Sequence, residues 1–150
     1  PDAERAVRVG IHVRRGDLLA EGRMNFPPDG YFRAAMERIT SRSSRPVVFV
    51  VVTEPEDIQW AISQQAFQVP NLGFAPTGAG EAAMDLAILA SCDHVITSLG
   101  TFGWWGGYLS GGTVIYYKDQ FQLDHPFHLG KILLSDHFPE EWVGISDGEL

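Results

Sequence analysis

The stretch that most restricts the fold of this chain is Pro46–Val52, seven consecutive residues that are all apolar. A run of this length is too short to cross a membrane, which takes about 20 apolar residues. It is typical of a β-strand that is buried on both faces, and such strands belong to parallel sheets covered by helices. The run therefore predicts a parallel sheet.

Strand and helix patterns alternate along the rest of the chain. Val7–Val13 alternates with period two and predicts a strand, as do the short apolar runs Leu72–Ala75, Val95–Thr97 and Thr113–Tyr117. Helical patterns lie between the strands, at Tyr31–Ile39, after Pro55, at Glu81–Cys92 and at Thr101–Leu109. This alternation in 150 residues predicts one α/β domain, a Rossmann-like open parallel sheet with helices on both faces.

Several local expectations are specific enough to test. Asp29 is expected to cap the first helix, and Thr53-Glu54-Pro55 is expected to begin the second. A turn is expected at Gly78–Gly80. The inward faces of the two helices are expected to hold Phe32, Ala35, Met36 and Ile39 in the first, and Ile58, Ala61 and Ile62 in the second.

Charge is distributed unevenly over the chain. The net charge of −8 argues against nucleic acid or an anionic membrane surface as a partner. Residues 1–45 nevertheless hold nine of the eleven Lys and Arg against six acids, and residues 46–150 hold two bases and thirteen acids. A positive first third suits a small anionic ligand, although solvated arginines explain Arg33, Arg38 and Arg42 equally well.

The segment His12–Asp17, with the sequence H-V-R-R-G-D, follows the first predicted strand. Strand alternation sends His12 and Arg14 to one side, and the loop is expected to turn Arg15 toward the ligand. A guanidinium fork matches the geometry of a phosphate, and Asp17 is placed to pair with one arginine. Adjacent arginines are more often surface residues, so this pattern alone leaves both interpretations open.

Ser98–Gly112 holds six of the 16 glycines and follows another predicted strand. A turn at Gly100 that leads into a helix presents free backbone N–H groups, which favour an anion. Gly100 and Gly103 are expected to let the backbone approach phosphate. Gly106 and Gly107 are expected to let the helix pack closely on the sheet. The alternative to an anion site is a tight turn with aromatic residues in the core. Trp104 and Trp105 are expected to be core and lobe-interface residues.

Both segments follow strands, so they are expected to meet at the carboxyl edge of the sheet, where open α/β sheets bind ligands. Other motifs are rejected. His125-x-x-His128 with Asp124 is not expected to bind zinc, because Pro126 breaks the regular helical face. The sequence holds no P-loop and no dinucleotide-binding glycine motif.

The chain resembles the galactoside α-1,2-fucosyltransferases of glycosyltransferase family 11. The resemblance rests on H-V-R-R-G-D, A-M-D-L-A-I-L-A-S-C-D-H-V-I-T and S-L-G-T-F-G-W-W-G-G-Y-L-S-G-G, and extends over essentially all 150 residues. It implies transfer of L-fucose from GDP-fucose to the 2-hydroxyl of a terminal β-galactoside, with inversion and with no cofactor or metal. It also implies that residues 1–150 are the C-terminal, donor-binding lobe of a GT-B fold.

The resemblance also assigns roles to residues. Arg15 would hold the β-phosphate and assist departure of GDP, with Arg14 in support and Asp17 fixing an arginine. The general base is left open between Asp17, Glu21 and an absent lobe. Donor contacts would come from His12 and Asp85, against guanine, and from Ser98, Gly100, Thr101 and Phe102, near the diphosphate.

The same resemblance leaves two alternatives: a GDP-sugar-binding module without activity, and a relative with a protein or glycan-core acceptor. Because the sequence starts at Pro1, we expect a fragment, inactive alone, that lacks an acceptor lobe and any membrane anchor. Location is expected to be the lumenal side of the Golgi membrane for an animal protein and the cytoplasm for a bacterial one.

Overall fold

The computed structural model describes residues 5–76 and 82–150, and its centre is one six-stranded sheet. Every strand is parallel to its neighbours, as predicted, and the order across the sheet is β3-β2-β1-β4-β5-β6. The strands are β1 (Val7–Val13), β2 (Val47–Thr53), β3 (Leu72–Phe74), β4 (His94–Thr97), β5 (Thr113–Tyr117) and β6 (Val143–Ile145).

Helices connect the strands and cover both faces of the sheet. They are α1 (Leu18–Glu21), α2 (Asp29–Thr40), α3 (Ile58–Ser63), α4 (Ala82–Ala90), α5 (Gly100–Ser110) and α6 (Leu134–His137). Short 3-10 turns lie at Pro55–Asp57, Gln65–Phe67 and Asp147–Glu149. The fold is therefore the predicted Rossmann-like α/β fold. No helix in the described ranges is long and apolar enough to cross a membrane.

Strand alternation divides the core between the two faces. Val9, Ile11 and Val13 of β1 belong to the larger cluster, together with the apolar face of α2. On the other face, Gly10 lies against Leu89 of α4, where a Cβ on the glycine would come within 2.9 Å of Leu89 Cδ2. This division leaves His12 on the side of the sheet that α4 and α5 cover.

The strand order changes direction at β1. From β1 the chain proceeds outward to β2 and β3, and it then returns to place β4 on the opposite side of β1. The carboxyl ends of β1 and β4 are therefore adjacent, with His12 opposite Thr97 in register. In open parallel sheets, the crevice at such a switch point is where ligands bind.

Several local expectations were wrong. Asp29 lies inside the first turn of α2, where its carboxylate accepts a hydrogen bond from the Ala66 N–H, and Pro28 is the N-cap. Ile62 is 42% exposed, because α3 ends at Ser63 and the next turn inserts Phe67 into the core instead. Short helix α1 lies where a loop was expected, and α6 and β6 were not predicted. The turn expected at Gly78–Gly80 lies outside the described residues.

Candidate active site

A cleft of about 370 Å³ lies at the carboxyl edge of the sheet, beside the switch point between β1 and β4. It gathers residues that are far apart in sequence, and six of the nine predicted site residues line it. The lining residues are His12, Arg14, Leu18, Val52, Thr53, Glu54, Ala82, Asp85, Leu99, Gly100, Thr101 and Phe102.

A second cleft, of about 350 Å³, lies at the opposite edge of the sheet. Arg38, Arg42 and Arg45 contribute to its wall, near the start of β1 and β5. We assign the site to the carboxyl edge, because parallel sheets bind ligands there and because both predicted segments converge there.

Arg14 is the cation that lines the carboxyl-edge cleft. Its side chain forms an ion pair with Glu54, and its Nη2 donates to Asp17 Oδ1 at 2.5 Å. Asp17 thus pairs with an arginine, as the sequence indicated, and Glu54 is a second partner that sequence reasoning missed. Two carboxylates more than neutralise this guanidinium, so an incoming phosphate has to compete with them.

Ser98 connects the two converging segments but does not line the cleft. Its hydroxyl accepts a hydrogen bond from the Arg14 backbone N–H at 2.8 Å, and its own N–H donates to the His12 carbonyl. The residue is 1% exposed. Ser98 is therefore placed to fix the separation of the two loops, and its expected donor contact remains a prediction.

His12 is buried beneath α5. Its ring centroid lies 5.3 Å from that of Phe102, and within the described residues its Nδ1 has no hydrogen-bond partner. Burial, and secondarily the Arg14 guanidinium, lower the pKa of His12 from 6.5 to about 4. His12 is therefore a neutral imidazole at neutral pH, with a buried polar nitrogen beside the cleft.

The first turn of α5 forms another wall of the cleft. Gly100 has a φ of +80°, the left-handed conformation that glycine adopts without strain, and Thr101 and Phe102 follow it. The N–H groups of a first helical turn have no partner within their helix and carry the positive end of the helix dipole. This wall can therefore bind an anion.

The glycines farther along α5 serve packing. A Cβ on Gly103 would lie 2.1 Å from Thr97 Oγ1 and 2.4 Å from His12 Nδ1, so Gly103 lets α5 approach the sheet. Its expected phosphate role remains a prediction. Gly107 likewise lies against Val114 of β5, whereas Gly106 lies against Leu89 of α4 and not against the sheet.

The two tryptophans of α5 differ in their surroundings. Trp104 stacks on Tyr108 and donates its Nε1–H to the His137 carbonyl at 2.7 Å, so it belongs to the packed part of the fold. Trp105 is 51% exposed and so lies outside the core, and its expected lobe-interface position remains a prediction.

Asp85 is brought to the cleft by α4 and is partly buried. It faces the same space as Arg14 and the first turn of α5. A carboxylate in this position can accept hydrogen bonds from a ligand. The contact between Asp85 and guanine remains a prediction.

Arg15 lies beside the cleft, against two aromatic rings. Its Cζ lies 3.9 Å from the centroid of the Trp60 ring and 5.5 Å from that of Phe26, and it is not among the residues that line the cleft. Strand alternation ends at Val13, so the direction of Arg15 depends on the following turn. Arg15 therefore adjoins this cleft without lining it, and its role in phosphate binding remains a prediction.

His125 and His128 are the two histidines whose spacing could suggest a zinc site. His128 is buried, and its Nδ1 lies 3.1 Å from the Gln122 carbonyl oxygen. Within residues 5–76 and 82–150, no group of three His, Cys, Asp or Glu side chains is arranged to hold a metal ion.

The fold and the cleft together define a class: Rossmann-like α/β proteins with a crevice at the topological switch point. Comparison with known families is more specific. The model of glycosyl transferase family 11 matches residues 3–146, and the chain belongs to that family of glycosyltransferases.

Curated relatives agree with this assignment. The chain is 37% identical over 143 residues to a galactoside 2-alpha-L-fucosyltransferase of Mus musculus. This match covers 92% of this chain and 38% of the relative. It is 37% identical over 142 residues to galactoside alpha-(1,2)-fucosyltransferase 2 of Mus musculus, with 91% and 40% covered. It is 34% identical over 145 residues to galactoside alpha-(1,2)-fucosyltransferase 1 of Homo sapiens, with 92% and 38% covered. The chain thus spans about two fifths of the length of these relatives.

Proposed function

We propose that this chain is the donor-binding lobe of an α-1,2-fucosyltransferase. The enzyme would transfer L-fucose from GDP-fucose to the 2-hydroxyl of a terminal β-galactoside, with inversion and without a metal. The observation that supports this most is the convergence of Arg14 and the first turn of α5 on one cleft in a family 11 chain.

The reaction breaks the bond between fucose C1 and the β-phosphate oxygen, and its electron pair stays with GDP. The galactose 2-hydroxyl oxygen bonds to C1 from the opposite face and loses its proton to a base. Negative charge grows on the diphosphate, so a fixed cation stabilises the transition state more than the ground state.

Magnitudes rank the groups that meet this charge. A helix N-terminus contributes about 0.3 to 2 kcal/mol, and each hydrogen bond to a charged group contributes about 1.5 to 3 kcal/mol. The two guanidinium groups of Arg14 and Arg15 should therefore contribute more than the first turn of α5. Arg14 acts from the cleft wall, and Arg15 from the adjoining loop.

We propose that the general base is neither Asp17 nor Glu21. Asp17 is paired with Arg14, and Glu21 is paired with Arg23 at 2.5 Å. Each of these carboxylates is therefore already engaged by a guanidinium. We therefore place the base in the acceptor lobe, in the part of the enzyme that this chain does not include.

The nucleotide end is proposed to lie between His12 and Asp85. Guanine offers an N1–H and a 2-amino group, two donors that one carboxylate accepts together. The neutral His12 ring supplies a flat surface beside it. This arrangement would favour GDP over ADP.

The full-length protein tests the proposal. It is incubated with GDP-fucose and a β-galactoside acceptor, and the linkage of the product is read by NMR; an α-1,2 product without added metal is expected. Binding of GDP without transfer would instead support a nucleotide-binding module, and transfer only to protein or to a glycan core would support a different acceptor. We place the enzyme in the Golgi lumen for an animal source and in the cytoplasm for a bacterial one.

A further inference from the structure

The end of β2 and the residues that follow it contact most of residues 13–17, which we call the arginine loop. Thr53 Oγ1 donates to the Val13 carbonyl at 3.0 Å, and Glu54 pairs with Arg14. These two contacts hold the end of β1. We call residues 53–60 the clamp segment.

Two further contacts of the clamp segment hold the turn itself. The Gly16 N–H donates to Asp57 Oδ2 at 2.8 Å, and Asp57 is 6% exposed. The ring of Trp60 lies under the Arg15 guanidinium at 3.9 Å. The orientation of Arg15 is therefore set by a segment about 45 residues farther along the chain.

The contact between Arg15 and Trp60 has a specific chemical consequence. Stacking uses the faces of the planar guanidinium and leaves the N–H donors on its edge available. Within the described parts of the chain, no hydrogen bond or ion pair engages that edge. Arg14 differs, because Glu54 and Asp17 already accept from it. Arg15 is thus the arginine of the pair whose charge is not compensated.

We propose that Trp60 is a positioning residue for Arg15: its ring, with Phe26 as a more distant second surface, fixes the guanidinium plane so that the edge binds the donor diphosphate. Trp60 itself touches no substrate. This inference rests on the proposed function, because it assigns how the leaving diphosphate is met.

The proposal predicts a graded response at position 60. Trp60→Leu removes the aromatic face and is expected to lower kcat about tenfold, the equivalent of about 1.4 kcal/mol, with a smaller change in KM for GDP-fucose. Trp60→Phe keeps a flat ring and is expected to remain within about threefold of the unmodified enzyme. The split between kcat and KM is expected because Arg15 meets charge that develops in the transition state.

Trp60 also packs against the main core, so a stability control is needed. Phe74 packs partly buried against the same cluster. Phe74→Leu is the matched variant, and thermal unfolding identifies a temperature at which both variants are fully folded. A loss in Trp60→Leu no larger than in Phe74→Leu would overturn the proposal.

A double-mutant cycle on the full-length protein gives the decisive measurement. Arg15→Lys removes the planar group at position 15, so adding Trp60→Leu to it is expected to lower kcat no further. If the losses in kcat of the two single variants multiply in the double variant, the inference is overturned. GDP affinity is measured by calorimetry in the unmodified protein, the two single variants and the double variant. The coupling between the two residues can therefore be determined even in a protein that binds GDP and transfers no fucose. Absence of transfer by the unmodified enzyme defeats the proposed function, and absence of GDP binding defeats both.

Discussion

The backbone N–H of Arg14 donates a hydrogen bond to the hydroxyl of Ser98, 2.8 Å away across the ends of two adjacent strands. The two residues are 84 positions apart in the sequence. One loop carries the cleft arginine and the other begins the first turn of α5. Together with the hydrogen bond from the Ser98 N–H to the His12 carbonyl, this bond holds the two walls of the crevice at a fixed separation.

Ser98→Ala tests that link. Removing the hydroxyl leaves the Arg14 N–H without its acceptor in a partly buried place, which costs about 1 to 3 kcal/mol of unfolding free energy. Urea unfolding measures the loss. Ser91→Ala is the control, because its hydroxyl bonds a helix carbonyl at an exposed position and its removal should matter little. Equal stability of the two variants would show that the link is dispensable.

Glu54→Gln tests the competition for Arg14. The diphosphate has to displace a carboxylate from this guanidinium, so neutralising Glu54 is expected to strengthen GDP binding about threefold to fivefold, within the roughly 1 kcal/mol range of partly exposed pairs. Calorimetry at low and high salt should show the gain mostly at low salt. Glu56→Gln is the control, because Glu56 is an exposed glutamate two positions farther along the chain. Weaker GDP binding in Glu54→Gln would mean that Glu54 supports the ligand.

Gly103→Ala tests how closely α5 packs on the sheet. The new Cβ would lie 2.1 Å from Thr97 Oγ1, a distance that forces the helix to move. We expect a loss of about 1 to 3 kcal/mol in unfolding free energy, and a displaced first turn that binds GDP more weakly. Gly73→Ala is the matched control, because a Cβ there meets no atom within 4 Å. Full stability in Gly103→Ala would contradict the packing role.

The strands were predictable because their pattern is local. Val7–Val13 and Pro46–Val52 carry period-two or continuous apolar signals, and the structure places β1 and β2 within one residue of the expected bounds. β6 was missed, although Val143–Ile145 has the same length of three residues and the same central glycine as the predicted β3, because so short a strand carries almost no periodic signal. The carboxyl-edge rule located the cleft as soon as the strands were known.

The details of the site were less predictable because they depend on contacts across the fold. Glu54 follows β2 at the same edge as Arg14, so the carboxyl-edge rule applied to β2 would have found it; it was interpreted only as part of a helix cap. The orientation of Arg15 had no local signal, since it depends on the positive φ of Gly16 and on the position of Trp60.

The buried His12 makes stability depend on pH. Its pKa is about 4 in the folded chain against an ordinary 6.5, so between these values the unfolded chain binds a proton that the folded chain does not. The contribution is fully present above pH 6.5 and is lost as the pH falls toward 4, by an amount on the order of 3 kcal/mol. Unfolding measured from pH 5 to pH 7 is expected to show a shallower slope in His12→Gln. An exposed control, His137→Gln, should keep the original slope, and an unchanged slope in His12→Gln would show that His12 titrates normally.

Asp85→Asn tests which end of the donor lies against α4. The substitution keeps the size of the side chain and removes its charge, so one of the two guanine donors loses its acceptor and faces an amide N–H instead. We expect the fold to persist and GDP affinity to fall about tenfold or more, the equivalent of one charged hydrogen bond. ADP, whose base lacks that pair of donors, should bind as weakly to the variant as to the unmodified protein. Asp136→Asn, at an exposed position in α6, controls for the change in net charge, and calorimetry with both nucleotides gives the comparison. An equal loss for GDP and ADP would move Asp85 from the base to another part of the ligand.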